Sequence, residues 1–392
     1  MTFALPATKA HLRRALRSGV LSRHPEPGGD SALRDQSRLD PSANALNVLR
    51  LLCAGAVVVS NAWWLGGYGP QPALLGIKLG TAGILGFFAI SGYLTTLSAQ
   101  RASSFRAFAA ARISPFYAGL VVAALAVAFL AAPFGALLTG GHYDIRSALE
   151  FLGLAFLVLN GVTTTPSIGT SLQGNVDYLD WNGILWTLTW AALCYVIVAG
   201  IVFLLRRRSA ERLAPMVIAL LLGATTVVDS SQIFAKGFEP DRTAFVLPFI
   251  AFFLAGSLLA FYCDRVRVEP LPAMLAAALA FAFLITGLGP VLTALPLTYL
   301  LLAAGSHRAL ARIELGRDLS YGIYLYGWPV QQLLAALHLP ASLPPLGYAA
   351  AGLVAVLPFA FLSSVFVEQP SHRWLRSRPE RLKTPMKLAG AR

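Results

Sequence analysis

Apolar residues in this chain run in long unbroken stretches. They do not alternate, and they do not form the narrow stripes of a soluble domain. The stretches are 45–65, 75–98, 114–136, 183–205, 214–230, 244–262, 270–287, 289–305, 319–338 and 345–367. Each approaches the roughly 20 residues that a helix needs to cross a bilayer core. An eleventh stretch, 148–162, is shorter and would rise about 22 Å as a helix. The pattern predicts an all-α, polytopic membrane protein with about ten transmembrane helices. Residues 1–43 read as a mobile basic cytosolic N-terminus, 44–370 as the membrane domain and 371–392 as a basic cytosolic tail. The first apolar stretch begins only near Leu46, so no cleaved signal peptide is expected.

Composition agrees. Of 392 residues, 56% are hydrophobic and 12% charged, against about 25% charged in a soluble domain. Such a chain needs lipid as its solvent. The net charge of +13 does not point to nucleic acid, because the basic residues sit in short loops between apolar stretches. With ten crossings and the N-terminus inside, 26 of the 31 Lys and Arg fall in inner segments. Only Arg146, Lys236 and Arg242 lie outside, and Arg50 and Lys78 lie within helices. If 148–162 also crossed, every later basic loop would change sides. Both termini are therefore expected in the cytoplasm, with the protein in the plasma membrane and 148–162 against the outer face or re-entrant.

Cys53, Cys194 and Cys263 lack paired spacing, and the six histidines are scattered. Neither a disulfide framework nor a metal site is expected, and no permanently bound cofactor. There are no repeats and no glycine-rich phosphate loop. The outer loop 163–182 is polar and rich in turn formers; loops of this length are functional or disordered.

A few polar residues interrupt the apolar stretches. Arg50 and Asn61 are eleven residues apart, about three helical turns, and share a face. An intramembrane arginine points to function or snorkels to the headgroups. Asn61, before Trp63 and Trp64, also reads as a polar helix end with an aromatic belt. Lys78 reads as snorkelling. Ser91-Gly92 lies mid-helix in Phe87-Phe88-Ala89-Ile90-Ser91-Gly92-Tyr93-Leu94, where small residues allow close packing. Thr187, Ala191 and Tyr195 share one face without an acid or base, and alone they read as packing.

Together these segments resemble the acyltransferase-3 family of integral membrane acyltransferases, from about Asn44 to Arg376. Leu49-Arg50, ten residues, then Asn61 follows that family's first-helix pattern, with Asn61 at its histidine. Phe87 to Leu94 matches its second helix. Arg112-Ile113-Ser114-Pro115 matches a cytosolic motif whose first arginine is here Ala109. Asn182, Gly183, Leu185, Trp186, Thr187 and Leu188 match a later helix motif, with Ala191 at its glutamate. Leu319-Ser320-Tyr321-Gly322-Ile323-Tyr324 and Val367-Glu368-Gln369-Pro370 match closing motifs.

The resemblance implies transfer of an acyl group, acetyl above all, from a cytosolic acyl-coenzyme A to a hydroxyl of a glycan or lipid-linked acceptor. It implies roles for Arg50 at the catalytic position with Asn61 and Ala191. Arg50, Arg112 and Ser91 would lie on the donor side, and Asn182, Trp186 and Thr187 toward the acceptor. Ser320, Tyr321 and Tyr324 form a further motif.

Taking a hydroxyl proton needs a base, and histidine suits neutral pH. Asn61 has no titratable nitrogen, and Ala191 can neither orient nor charge a partner. Ala109 removes one cation for a phosphate-bearing donor. His142 is a substitute base on this reading, or a solvated loop histidine. Two functions stay open: a slow or rewired O-acyltransferase, and an inactive relative that binds donor, moves lipid-linked glycans or scaffolds a partner. A transporter without chemistry is disfavoured by the lack of inverted repeats.

Overall fold

The computed structural model describes residues 45–157, 167–234, 242–286, 291–307, 310, 313 and 317–368. The expected terminal segments, 1–43 and 371–392, lie outside these residues, as do Gln369-Pro370 and part of the 148–162 and 163–182 stretches.

Helices dominate. They are α1 (Ala45–Leu65), α2 (Leu79–Arg101), α3 (Phe105–Thr139), α4 (Ile145–Leu157), α5 (Trp186–Arg207), α6 (Ala214–Phe234), α7 (Arg242–Phe261), α8 (Pro270–Ile285), α9 (Ala294–Gly305), α10 (Ser320–Ala336) and α11 (Pro345–Glu368). One two-stranded ribbon pairs Ala73–Leu74 with Ile77–Lys78. Each of the ten long apolar stretches holds a helix. By length and composition, six helices among the described residues can cross a membrane: α1, α2, α3, α5, α6 and α11. α7, α8 and α9 contain shorter apolar segments.

Close helix contacts place the site. α1 and α2 run antiparallel, with Gly80 facing Ser60 and Gly83 facing Cys53 and Val57. α2 meets α7 backbone to backbone. A Cβ on Gly92 would lie 2.0 Å from the Phe253 carbonyl oxygen, and one on Gly256 2.1 Å from that of Ala89. Small residues permit this approach. α10 runs parallel to α1: Arg50 pairs with Asp318 just before α10, and two turns farther along α1 the Val58 carbonyl accepts from Gln331 Nε2 at 3.0 Å. α11 returns antiparallel to α10, with Ala360 against Gly322 and Tyr348 OH donating to the Gln331 carbonyl.

α3 is 35 residues long. The Ser104 side chain caps its first turn by accepting from the Ala107 amide, and Gly140, at φ +68°, ends it. Val127–Ala131 forms a π turn. Pro133, four residues beyond Phe129, has no amide for that residue's carbonyl, so the ladder shifts register there.

The described part of the 163–182 loop is folded. Ile168, Leu172 and Trp181 are buried, and Trp181 Nε1 donates to Ser171 Oγ at 2.8 Å. The end of α10 holds the loop. Asn175 Nδ2 donates to Gln332 Oε1, Gln332 Nε2 donates to the carbonyls of Asp177 and Asp180, and Trp328 Nε1 donates to the Asp180 carbonyl. Gly169, at φ +57°, presses against the His142 carbonyl, where a Cβ would come within 2.3 Å. Asp144 leads into α4, and hydrogen bonds from Ser147 hold its carboxyl below the usual range.

Candidate active site

Two cavities lie among α1, α2, α3, α5, α10 and α11, and both are bordered by Arg50, Phe116, Tyr195 and Tyr321. The inner chamber is about 60 Å³. Phe87, Phe88 and Ser91 of α2, Thr187 and Ala191 of α5, and Tyr324 of α10 line it. The outer chamber is about 240 Å³ and more polar, with Arg112, Asp318, Ser364 and Glu368 in its wall.

Helix periodicity explains the inner wall. Thr187, Ala191 and Tyr195 are one turn apart on α5 and present one stripe to the cavity. Phe87, Phe88 and Ser91 do the same from α2. Thr187 Oγ1 donates to the Ile184 carbonyl at 2.9 Å and lies 2.5 Å from Tyr324 OH. The Phe87 and Tyr324 rings meet edge to face at 5.4 Å. Tyr321 OH donates to the Phe116 carbonyl at 2.6 Å, with their rings stacked. These bonds fix the tyrosine rotamers around the chamber.

Charge is concentrated in the outer chamber. Arg50 Nη1 donates to Asp318 Oδ2 in a half-buried ion pair. The other Asp318 oxygen accepts from the Ser320 amide at 3.0 Å and from its hydroxyl at 2.5 Å. Asp318 thus holds the first residue of α10 and anchors Arg50 at once. Arg112 Nη2 donates to the Leu94 carbonyl at 3.1 Å. Glu368 accepts from Ser363 Oγ at 3.2 Å.

Arg50, Ser91, Thr187, Ala191, Tyr321 and Tyr324 therefore line the inner chamber, and Arg112 joins Arg50 in the outer one. The other motif residues lie elsewhere. Asn61 is buried on α1 but lines neither chamber, and its Nδ2 has no hydrogen-bond partner among the described residues. Asn182 donates to the Leu325 carbonyl at 2.8 Å and ties the start of α5 to α10. Trp186 packs on Phe249. Ser320 serves Asp318. His142 sits in the turn between α3 and α4, its amide bonded to Thr170 Oγ1, and Ala109 lines neither chamber. Among the described residues no histidine lines either chamber, and no cluster suited to a metal ion occurs.

Sequence reasoning did not single out Asp318 as a site residue, and it took Glu368 only as part of a closing motif. Nothing local marks Asp318 as the partner of an arginine 268 positions earlier. Phe116 was likewise unmarked, although it follows the quoted Arg112–Pro115 motif directly.

A helical membrane domain with an internal chamber bordered by Arg50 and opening beside Arg112 is the class this geometry defines. The chain belongs to the acyltransferase-3 family, whose model, described as an acyltransferase domain, matches residues 43–365. It is 28% identical over 348 residues to an O-acetyl transferase of Shigella phage Sf6, covering 86% of this chain and 98% of that protein. It is also 28% identical over 321 residues to Nodulation protein 10 of Rhizobium leguminosarum bv. viciae, covering 75% of this chain and 84% of that protein. No solved structure matches the chain significantly. The family and the first relative support acyl transfer in general.

Proposed function

We propose that the protein transfers an acetyl group from cytosolic acetyl-coenzyme A to a hydroxyl of a glycan or lipid-linked acceptor. The carrying observation is the junction of the two chambers at Arg50. Arg50 and Arg112 give the outer chamber the cations a phosphate-bearing donor needs. The inner chamber gives the acyl group an apolar pocket. At about 10–15 Å³ per water-sized group, 60 Å³ accepts a two-carbon acyl group and excludes a long chain.

The acceptor oxygen attacks the thioester carbonyl carbon, a C–O bond forms, and the C–S bond breaks to release the coenzyme A thiolate. The hydroxyl proton goes to a base and then to the thiolate. Asn61 and Ala191 supply no base. Asp318 is held in an ion pair by Arg50, so Glu368, which shares the outer-chamber wall with Arg50, is the carboxylate we assign to this step. Tyr321 borders both chambers, and Tyr324 borders the inner one beside the acyl group.

The test uses purified protein with acetyl- and octanoyl-coenzyme A. Acetyl transfer or hydrolysis is expected, with octanoyl-coenzyme A a poor substrate. Arg50→Ala should weaken coenzyme A binding by roughly tenfold or more, since a charge-assisted contact contributes about 1.5–3 kcal/mol. It should also lower thermal stability, because Asp318 loses its partner. Adding Asp318→Asn should recover stability without recovering binding. Unchanged binding in Arg50→Ala would return Arg50 to a purely structural ion pair. Coenzyme A binding without turnover would assign the chain to the inactive donor-binding reading.

We also propose ten crossings with both termini cytoplasmic, on the 26-to-3 distribution of basic residues. Cysteines replacing Arg208 and Arg378 should be shielded from an impermeant thiol reagent in intact cells, and one replacing Lys236 should react. Labelling of the cysteine at 208 from outside would sink the topology.

A further inference from the structure

A second pair of cavities, away from the active-site chambers, lies among α5, α6 and α7. The first, about 610 Å³, is at the end of the bundle where α5 and α7 finish and α6 begins. Its charged wall is Arg206, Arg212 and Arg265 with Glu211 and Asp264. Arg206 is committed to the carbonyls of Ala99, Gln100 and Ala102 at the end of α2. Arg212 and Arg265 are exposed. The second cavity, about 240 Å³, lies deeper along the same three helices. Its wall is aliphatic, including Cys194, Val198, Leu221 and Leu254. The hydroxyl of Thr225, its one oxygen-bearing side chain, is bonded to the Leu222 carbonyl at 2.7 Å.

The three helices contribute to both cavities in the same order. α5 gives Cys194 and Val198 to the deep cavity, then Val202 and Arg206 to the mouth, one turn apart each time. α7 gives Leu254 to the deep cavity and Phe261 to the mouth, seven residues or about 10 Å farther along. On α6 the buried Ile218 lies between the two, and the exposed Met216 and Leu220 flank it. α6 is also the least buried of the six spanning helices, at 11% of its span.

We infer that these two cavities together bind one anionic phospholipid of the inner leaflet. Its phosphate would lie against Arg212 and Arg265, and one acyl chain would extend from the mouth toward the deep cavity along the same three helices. The mouth has three arginines against two carboxylates, and the neighbouring Arg207 and Arg208 add to the same sign. That balance suits an anion over a zwitterion. A wholly apolar cavity beside a spanning helix suits hydrocarbon better than a polar polypeptide segment. The lipid would brace α5, the helix that also carries Thr187 and Ala191 of the inner chamber.

Native mass spectrometry of the full-length protein, with dioleoyl phosphatidylglycerol or dioleoyl phosphatidylcholine added, tests this. One retained phosphatidylglycerol is expected, favoured over phosphatidylcholine. Arg212→Ala with Arg265→Ala should reduce its apparent affinity by roughly tenfold or more. Ala224→Trp, at an exposed position on the wall of the deep cavity, should reduce retention of both lipids. Circular dichroism and the thermal midpoint establish that each variant is folded. Equal retention of the two lipids, or no response to either variant in folded protein, overturns the inference. So does displacement of the lipid by inorganic phosphate, which carries no chain.

Discussion

Replacing Glu368 by glutamine is expected to slow acyl transfer by roughly 100- to 10,000-fold, the usual contribution of a general base, while coenzyme A affinity stays the same. Glutamine keeps the size of the side chain and its hydrogen bond with Ser363 but cannot accept the hydroxyl proton. Glu368→Asp, which keeps the carboxylate on a shorter arm, should recover part of the rate. The pH profile of kcat/KM separates a chemical role from a structural one: the limb that reports the base should disappear in Glu368→Gln. Full activity in that variant would move the proton acceptor elsewhere. Glu368 would then balance the charge of Arg50 and Arg112 in the outer chamber.

Gly92→Val is expected to prevent the bundle from reaching its native packing. The added side chain meets the Phe253 carbonyl, at 2.0 Å from its Cβ position. Backbone cannot swing aside as a flexible side chain can. Overpacking usually costs about 1–3 kcal/mol, and a clash between two backbones belongs at the top of that range or above it. Phe88, Ser91 and Phe253 line the inner chamber across this same contact, so activity should fall with stability. Gly55, where an added Cβ would find nothing within 4 Å, is the control. Gly55→Ala should hold or slightly raise the thermal midpoint, by a helix-propensity gain of about 0.5–1 kcal/mol. An unchanged midpoint for Gly92→Val would show that α2 and α7 separate at no cost.

Much of this architecture is legible in the sequence. Long apolar stretches forecast helices, and all ten hold them, six of which, among the described residues, are long and apolar enough to cross a membrane. Motif residues also mark much of the chamber wall: Arg50, Ser91, Thr187, Ala191, Tyr321 and Tyr324 come from four separate stretches and meet at one cavity. Asn61 shares a helix face with Arg50 by spacing, yet it lies outside the chamber, because three turns of rise carry it about 16 Å along the axis. The Arg50–Asp318 pair is not legible, because hydropathy locates helices without saying which ones touch. The order within the outer loop is hidden for the same reason. Its polar, turn-forming sequence reads as functional or disordered, and the side chains that organise its described part, Gln332 and Trp328, lie about 150 positions later. The π turn in α3 has no hydropathy signal at all.

α10 is gripped at both ends. Asp318 ties its beginning to Arg50, and Gln332 and Trp328 tie its far end to the outer loop. Tyr321 and Tyr324 lie between the two grips. Mechanically it is a rod under two clamps, and any molecule that lifts the loop must first undo the clamp at Gln332. Between the grips, Gln331 bonds α10 to α1 and α11, and Asn182 bonds to its Leu325 carbonyl. The loop at one end of α10 and the chamber at its other end thus share one continuous helix, without any ligand crossing the space between.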